Sequence, residues 1–281
     1  MIGVAEGFLL GRDVSSGYAS NVRRTARKMA AAGITAANID GPVVNMWLSS
    51  LTTSSTTKAS ELCTALTLWR WGIEEGVIVN PIRRVKKIRK TRKVVRAFTR
   101  SDLTMAVKFF SDESFVRENH VFQKSLCPVS LWMEAWTRFC YETAARMGDA
   151  HSLRAEALVP GGVAFVASKT GQPVVRRVSP RTSELLQKLA DMSPDGTVFS
   201  WAVSRRWAFA NIKRYFEMAG LKGGRSQWLR RAAATHAEMM QEGAGSKLLD
   251  HRGSGGPELT RQHYLDMSQL MERLPSGPML D

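Results

Sequence analysis

The first 80 residues carry apolar side chains at helical spacing. An Ala- and Arg-rich stretch near residues 16–32 comes first, and a second pattern starts at Pro42, where proline can open a helix. A third pattern runs from about Ser55 to Glu75, with apolar positions at Leu62, Ala65, Leu66, Trp69 and Ile73. We therefore predict a helical domain over residues 1–80. One side of its first helix is basic and carries Arg23, Arg24, Arg27 and Lys28.

The second half of the chain mixes helical and extended patterns. Apolar side chains recur at helical spacing over residues 132–147, which predicts a buried helix ending near Gly148. Residues 153–178 hold β-branched runs around Gly161-Gly162 and a turn at 169–172, a pattern typical of strands and hairpins. Helical patterns then resume at about residues 180–191, 204–219 and 226–242. The chain is predicted to be mainly α with a small antiparallel β-sheet, an α+β fold.

A dense run of cations lies between the two halves. It follows Asn80-Pro81, a helix stop, and precedes a new helix start at residues 98–103. No acidic residue interrupts residues 83–96. We interpret residues 81–97 as an interdomain linker that lies along a phosphate backbone, where each cation releases a counterion. The predicted DNA contacts are Arg83, Arg84, Lys86, Lys87, Arg89, Lys90, Arg92 and Lys93, with Arg23 and Arg27 from the first helix.

Composition narrows the class of partner. The 281 residues contain 40 Lys and Arg against 25 Asp and Glu, a formal net charge of +15. Such a charge favours nucleic acid as the partner, although a basic protein without a ligand, or one that touches acidic lipid, is the alternative. No apolar run approaches the ~18 residues that a membrane span needs. The N-terminus is a poor signal peptide because Glu6 interrupts its apolar part. We expect an intracellular protein associated with DNA in the cytoplasm or nucleoid and with no membrane contact.

Several kinds of site are disfavoured. The three cysteines, Cys63, Cys127 and Cys140, are widely spaced and lack histidine neighbours, which argues against a disulfide framework or a zinc site. Signatures of phosphate loops, dinucleotide folds, zinc peptidases and hydrolase nucleophile elbows are absent. His236 lies on an apolar helix face, and we interpret it as a structural core histidine. We therefore expect neither a metal nor a cofactor.

Four motifs occur in order in the second half. They are Arg146 with Asp149 three positions later, the hairpin turn around Lys169, the segment from Gln227 through Arg230 leading to His251, and the segment from Thr260 to Tyr264. In order and approximate spacing they resemble the catalytic domain of the tyrosine recombinases, also called the phage integrase family. The resemblance spans roughly residues 98–267. The helical first half resembles the core-binding domain of that family.

The resemblance implies a role for each motif. Tyr264 would attack a DNA phosphate and form a 3′-phosphotyrosine that a 5′-hydroxyl later reverses. Arg146 and Arg230 would hold the charge of the transition state with planar, permanently protonated donors. Lys169 would give a proton to the departing 5′-oxygen, and His251 would donate a hydrogen bond to a phosphate oxygen.

Two departures from the family pattern stand out. Gln227 occupies a position where the family usually has histidine, and an amide cannot take the tyrosine proton. We expect cleavage to be slower by about 10²–10⁴ unless another group, such as His263, substitutes. Residues 252–258 are glycine-rich and lengthen the gap between His251 and Tyr264. They predict a flexible loop that lets the tyrosine helix move.

The resemblance implies a site-specific DNA recombinase acting by integration or excision in a mobile element or virus. It would clamp double-stranded DNA between its halves, assemble as a tetramer when two sites synapse, and depend on accessory factors for direction. A DNA-binding relative with impaired cleavage and a strand-passage or hairpin-forming enzyme are the alternatives. Residues 268–281 are predicted to form a short amphipathic tail, docked either on a neighbouring protomer or on its own domain.

Overall fold

The structure, a computed structural model, describes residues 1–91, 94–112, 115, 121–251 and 255–273. The chain divides into two units, Met1–Lys93 and Val94–Asp281. The predicted linker, residues 81–97, therefore straddles the division. Two of the predicted DNA contacts, Arg92 and Lys93, lie outside the described residues.

The first unit is helical. Its helices are α1 (Ile2–Leu9), α2 (Ser16–Ala31), α3 (Gly41–Ser50) and α4 (Ser55–Glu74). Ser15, Asp40 and Ser54 cap the last three by accepting a backbone N–H from the first turn. Helices α2, α3 and α4 confirm the predicted pattern, whereas the short helix α1 was not predicted. The core contains fully buried Trp69, whose indole N–H donates to the Asn80 carbonyl at 2.7 Å.

A buried carboxylate joins two of these helices. Glu61 on α4 is only 1% exposed and accepts hydrogen bonds from Thr25 Oγ1 at 2.6 Å and from Lys28 Nζ at 2.5 Å, both on α2. Burial acts to raise the pKa of Glu61, but these two bonds and the nearby Arg24 charge lower that pKa overall. Its contribution to stability is therefore present at neutral pH and is lost as pH falls through the lowered pKa.

The second unit contains helices and one small sheet. Its helices are α5 (Arg100–Ser111), α6 (Val129–Thr143), α7 (Met147–His151), α8 (Pro180–Asp191), α9 (Arg205–Met218), α10 (Ser226–Met240), α11 (Ala244–Leu248) and α12 (Gly256–His263). Its strands are β1 (Leu158–Val159), β2 (Gly162–Val166) and β3 (Pro173–Arg177). They form an antiparallel sheet in the order β1-β2-β3, with Val163 opposite Arg176. The predicted α+β fold class is confirmed.

Helix α6 forms the centre of this unit. It packs against α5, α8 and α10. Trp132 and Trp136 on α6 stack at a centroid distance of 4.8 Å, and Phe199 meets both rings edge-on. These side chains are fully buried. The apolar stripe predicted over residues 132–147 is therefore the core of the unit.

The end of α6 differs from the prediction. The helix was expected to reach Gly148, but it ends at Thr143 because Ala144 has a left-handed backbone (φ 52°). The Thr143 hydroxyl accepts the N–H of Ala145 at 3.2 Å and stabilises the break. Arg146 consequently lies in the turn before α7 rather than at the end of a long helix.

The described part of the tail packs on its own unit. Residues Met267–Arg273 form a 3₁₀ helix rather than an amphipathic α-helix. Leu270 is buried in a cluster with Ala144, Leu249 and Leu265. Residues 274–281 lie outside the described residues, as do residues 252–254 of the predicted flexible loop.

Candidate active site

One cleft in the second unit brings five predicted site residues together. Its volume is about 760 Å³, and its walls come from the turn before α7, the β2–β3 turn, α9, the first half of α10 and the residue after α12. The predicted site residues that line it are Arg146, Lys169, Gln227, Arg230 and Tyr264. Because these residues come from separate segments, tertiary folding assembles the group.

Arg230 is the most enclosed of the five. It is 7% exposed, and its terminal nitrogens donate to the main-chain carbonyls of Ala144 and Leu249. Its guanidinium carbon lies 5.4 Å from the ring centroid of Tyr264. Burial, and then the positive charge of Arg146, lower the pKa of Arg230 to about 10. Arg230 therefore stays a cation at neutral pH.

Asp149 ties Arg146 to the hairpin that carries Lys169. It is 4% exposed, and its Oδ2 lies 3.9 Å from Arg146 Nη1. Its Oδ1 accepts the N–H of Ser168 at 2.9 Å and the Ser168 hydroxyl at 2.6 Å. Lys169, the next residue, is exposed at the β2–β3 turn. Asp149 therefore positions both Arg146 and the hairpin that carries Lys169.

His251 lies beside Tyr264, although it is not among the residues that line the cleft. The two rings contact edge to face, with centroids 5.0 Å apart. His251 Nδ1 lies 2.7 Å from the hydroxyl of Thr260 on α12. Burial lowers the pKa of His251, and the charges of Arg230, Arg146 and Lys169 lower it further, while Asp250 acts in the opposite direction. All three predicted cations therefore act on this imidazole.

Arg176 positions the turn before His251, and sequence reasoning assigned it no role. Its Nη2 donates to the Leu248 carbonyl at 2.9 Å and to Asp250 Oδ2 at 2.5 Å. It shares the inward face of β3 with Val174, which is buried. An arginine at an inward-facing strand position is the sequence signal that could have identified it.

Two of the four non-glycine residues with a left-handed backbone in the described part of the chain lie in the segments that carry Arg146 and His251. Ala144 (φ 52°) lies two residues before Arg146, and Asp250 (φ 53°) directly precedes His251. A left-handed backbone is unfavourable for residues with a β-carbon and persists where surrounding contacts hold it. Here Arg230 bonds to Ala144 and Leu249, so the same guanidinium holds both segments.

The remaining predicted residues differ in exposure and contacts. Gln227 is exposed at the start of α10 and lines the cleft. His263, considered as a substitute for the missing histidine, is exposed at the end of α12 and does not line the cleft. His236 is buried and contacts the Tyr141 hydroxyl at 3.0 Å and Gln269 Oε1 at 3.1 Å, as expected for a structural histidine.

Residues 82–91, called the basic strip below, run along the surface of the first unit. At every third position an apolar side chain is half-buried against the core of the unit, at Ile82, Val85 and Ile88. The predicted DNA contacts in the strip, two after each apolar residue, are exposed: Arg83, Arg84, Lys86, Lys87, Arg89 and Lys90. The apolar period of three therefore directs the cations to solvent.

Helix α3 holds the backbone of the basic strip. Asn45 Nδ2 donates to the Arg84 carbonyl at 2.8 Å, and the Lys86 N–H donates to Asn45 Oδ1 at 2.9 Å. A β-carbon at Gly41 would lie 2.0 Å from the Arg83 carbonyl oxygen, so this approach requires glycine. The row of cations is thus fixed to a helix.

The two predicted contacts on α2 differ from each other. Arg23 forms a two-point ion pair with Glu6, with distances of 2.9 Å from Nε to Oε1 and from Nη2 to Oε2. This carboxylate compensates the charge of Arg23. Arg27, one turn further along the helix, is exposed.

In the described part of the chain, the His, Cys, Asp and Glu side chains form no group of three or more that could hold a metal ion. None of its helices combines the length and apolarity needed to cross a bilayer.

Comparison with known proteins identifies the fold. No protein-family model matches the chain, and no curated protein matches it in sequence. A lambda integrase dimer bound to a COC′ core site matches with a TM-score of 0.69 at 15% identity, covering 99% of this chain and 80% of that chain. The XerH site-specific recombinase bound to palindromic difH substrate, in a post-cleavage complex, matches with a TM-score of 0.67 at 14% identity, covering 91% of this chain and 78% of that chain. The chain therefore has the tyrosine recombinase fold that the resemblance implied.

Proposed function

We propose that the chain is a tyrosine recombinase that cleaves duplex DNA and joins the cut end to a partner strand. The observation that carries this proposal is the single cleft lined by Arg146, Lys169, Gln227, Arg230 and Tyr264. This set can transfer a phosphoryl group without a metal. The hydroxyl can attack the phosphorus, and the two guanidiniums and the lysine can stabilise the negative charge of the transition state.

The proposed reaction begins with attack of Tyr264 Oη on the scissile phosphorus. The new O–P bond replaces the bond to the 5′-oxygen, which leaves with a proton from Lys169. Arg146 and Arg230 would face the non-bridging oxygens, where negative charge accumulates in the transition state. Gln227 would donate an amide hydrogen bond to one of these oxygens. Attack by a partner 5′-hydroxyl reverses the sequence and joins the strands.

Duplex DNA is the proposed partner. The basic strip presents six exposed, positioned cations, which would contact phosphates without reading sequence. Lambda integrase and XerH were both solved on DNA, and one lambda integrase structure is a tetramer bound to a Holliday junction. By analogy this chain would act on DNA inside the cell and assemble as a tetramer at synapsis, with accessory factors that set direction.

Gln227 favours a second candidate, a DNA-binding relative with impaired cleavage. The amide occupies the cleft where a protonatable ring would otherwise accept the tyrosine proton. A strand-passage or hairpin-forming enzyme would use the same chemistry and differ in its products. Topology of the rejoined DNA separates recombination from strand passage.

The decisive test is Tyr264→Phe. The wild-type protein is incubated with duplexes whose core is randomised, and covalent complexes that survive denaturation are recovered and sequenced to map the cleaved linkage. We expect adducts with wild type and none with Tyr264→Phe, which retains DNA binding because only one hydroxyl is lost.

Tyr215→Phe is the matched control, because Tyr215 is half-buried against Trp207 and does not line the cleft. It should form adducts at the wild-type level. If the wild-type protein binds DNA but forms no adduct, the result supports the DNA-binding alternative. If Tyr264→Phe still forms the adduct, Tyr264 is not the nucleophile.

A further inference from the structure

The cleft offers no base for the proton of Tyr264. Apart from Tyr264, the ionisable side chains that line it are lysines and arginines: Arg146, Lys169, Lys213, Arg225 and Arg230. Lysine and arginine side chains are hydrogen-bond donors without an acceptor lone pair. The Gln227 amide is not a base either. A side chain that accepts this proton would therefore come from a residue next to the cleft.

His251 is the neighbour with suitable chemistry. Its ring meets that of Tyr264 edge to face, with centroids 5.0 Å apart. His251 is the only histidine in ring contact with Tyr264 within the described ranges. His263 is exposed to solvent beyond the cleft.

Thr260 determines which ring nitrogen is free. Its hydroxyl donates to the Gly256 carbonyl at 2.9 Å, so its oxygen is left to accept a hydrogen from His251 Nδ1 at 2.7 Å. A neutral imidazole carries one hydrogen, and this bond places it on Nδ1. The lone pair is then on Nε2. Gly256 permits the arrangement, since a β-carbon there would lie 2.2 Å from the His251 carbonyl oxygen.

Burial and then the surrounding charges lower the pKa of this imidazole, which favours its neutral form. Arg230 on α10, Arg146 before α7 and Lys169 on the β2–β3 turn all oppose its protonation. Asp250 favours protonation, but its carboxylate is paired with Arg176 on β3 at 2.5 Å. A neutral ring is the form that a base must have before the reaction begins.

We propose that His251 Nε2 is the general base that takes the proton of Tyr264, in a cleft where Gln227 supplies no base. This role replaces the hydrogen-bond donation to phosphate that the resemblance implied for His251. The inference rests on the proposed function. During attack the Tyr264 O–H proton moves to Nε2, the Oη–P bond forms, the P–O5′ bond breaks and Lys169 protonates the 5′-oxygen. The imidazolium then returns its proton to the tyrosine oxygen on rejoining. Thr260 acts as a positioning residue that holds the tautomer.

A sulfur-substituted substrate separates the base from the acid. When the bridging 5′-oxygen at the mapped linkage is replaced by sulfur, the leaving thiolate needs no proton. We expect His251→Gln to lower the rate of adduct formation by about 10²–10⁴ on both substrates. Lys169→Ala should lose activity on the oxygen substrate alone. Recovery of His251→Gln on the sulfur substrate would overturn the proposal, because the histidine would then serve the leaving group.

The pH dependence gives a second readout. With the sulfur substrate, the wild-type rate should rise with pH through the lowered pKa of His251 and then level off, because only the neutral ring accepts a proton. His251→Gln should lack this rise, and a rise that persists in the variant would contradict the assignment.

Thr260→Val retains the His251 side chain and removes the hydroxyl that contacts Nδ1. It serves as the test if His251→Gln does not fold. It should slow adduct formation several-fold and move the midpoint of the pH profile, and an unchanged rate and midpoint would contradict the tautomer argument. If wild type forms no adduct on either substrate, the proposed function fails. If wild type reacts and His251→Gln matches it, only the base assignment fails.

Discussion

At the scale of single residues, the partner of an arginine decides whether its charge is available to a ligand. Arg230 bonds to the carbonyls of Ala144 and Leu249, which orient the guanidinium without neutralising it. Arg23 instead faces the carboxylate of Glu6 through two short bonds. A phosphate could bind Arg230 without displacing a hydrogen-bonded carboxylate, whereas at Arg23 it would have to displace Glu6.

Replacement of Arg230 by lysine tests this distinction. A lysine keeps the positive charge. Its ammonium lacks the planar array of N–H donors with which the guanidinium can bond the two carbonyls and an anion together. We expect Arg230→Lys to lower the rate of adduct formation by about 10²–10³. Arg231→Lys is the matched control, because the hydrogen bond that Arg231 makes in the described ranges goes to the Arg96 carbonyl, at 3.4 Å, and lysine keeps the charge that acts on Tyr264. Equal losses in the two variants would contradict a special role for Arg230.

At the scale of elements, the basic strip gains order from side chains rather than from a helix or a sheet. Its apolar residues return every third position, and Asn45 bonds to its backbone on both sides of Val85. A flexible segment would have to lose conformational entropy to follow a DNA strand. The packed strip has already lost this conformational entropy on folding. Its cations would therefore bind phosphates with a smaller entropic penalty.

The salt dependence of DNA binding should report these cations. Lys86→Ala with Lys87→Ala removes two exposed charges from the strip. We expect the slope of log K against log salt to become shallower by about 2, since each phosphate contact contributes about 0.9. Arg154→Ala with Lys188→Ala is the control, as both residues are paired with glutamates in the second unit. An equal change in slope with the control pair would argue against specific contact by the strip.

At the scale of the whole molecule, hydrogen bonds in the second unit join residues near its start to the segment that follows Tyr264. Asp266 lies two residues after Tyr264. Its Oδ2 accepts the N–H of Ala97, near the start of the unit, at 2.9 Å. Gln269 Nε2 donates back to the Ala97 carbonyl at 3.2 Å. The N–H of Asp266 donates to Thr235 on α10 at 2.9 Å. These bonds fix the chain that follows Tyr264.

Asp266→Asn should loosen this junction. Asp266 is 5% exposed, and the loss of charge-assisted bonds should lower the free energy of unfolding by about 1–3 kcal/mol. Adduct formation should fall while DNA affinity stays near wild type, because the cleft cations are unchanged. Thermal unfolding and the covalent assay measure the two effects. Asp195→Asn, in an exposed turn, is the control, and a larger effect there would contradict the junction.

Local patterns predicted many elements correctly because they depend on neighbours in the chain. Residues 180–191 were predicted as a helix, and α8 spans Pro180–Asp191 after a Ser179 cap. The hairpin around Lys169 was also predicted from its β-branched strands and Gly171. Helix α1 was missed, since its eight residues give too short a pattern.

The breaks near the cleft could not be predicted in the same way. Ala144 lies within the apolar stripe predicted over residues 132–147, and alanine is the best helix former, so the spacing pattern predicts a helix that continues past it. The break depends on Arg230, which lies 86 residues further along the chain and bonds to the Ala144 carbonyl. The left-handed Asp250 likewise depends on Arg176 of β3.

The sequence by itself determined the positive charge and the two-part division into helical and mixed halves, because these follow from composition and from spacing between near neighbours. Its four ordered motifs supplied the candidate site residues through their resemblance to the tyrosine recombinases. Only the tertiary structure decided that Arg146, Lys169, Gln227, Arg230 and Tyr264 share one cleft and that His251 lies against the tyrosine. The reason is physical: these contacts join segments far apart in the chain, and such contacts form only when the core packs.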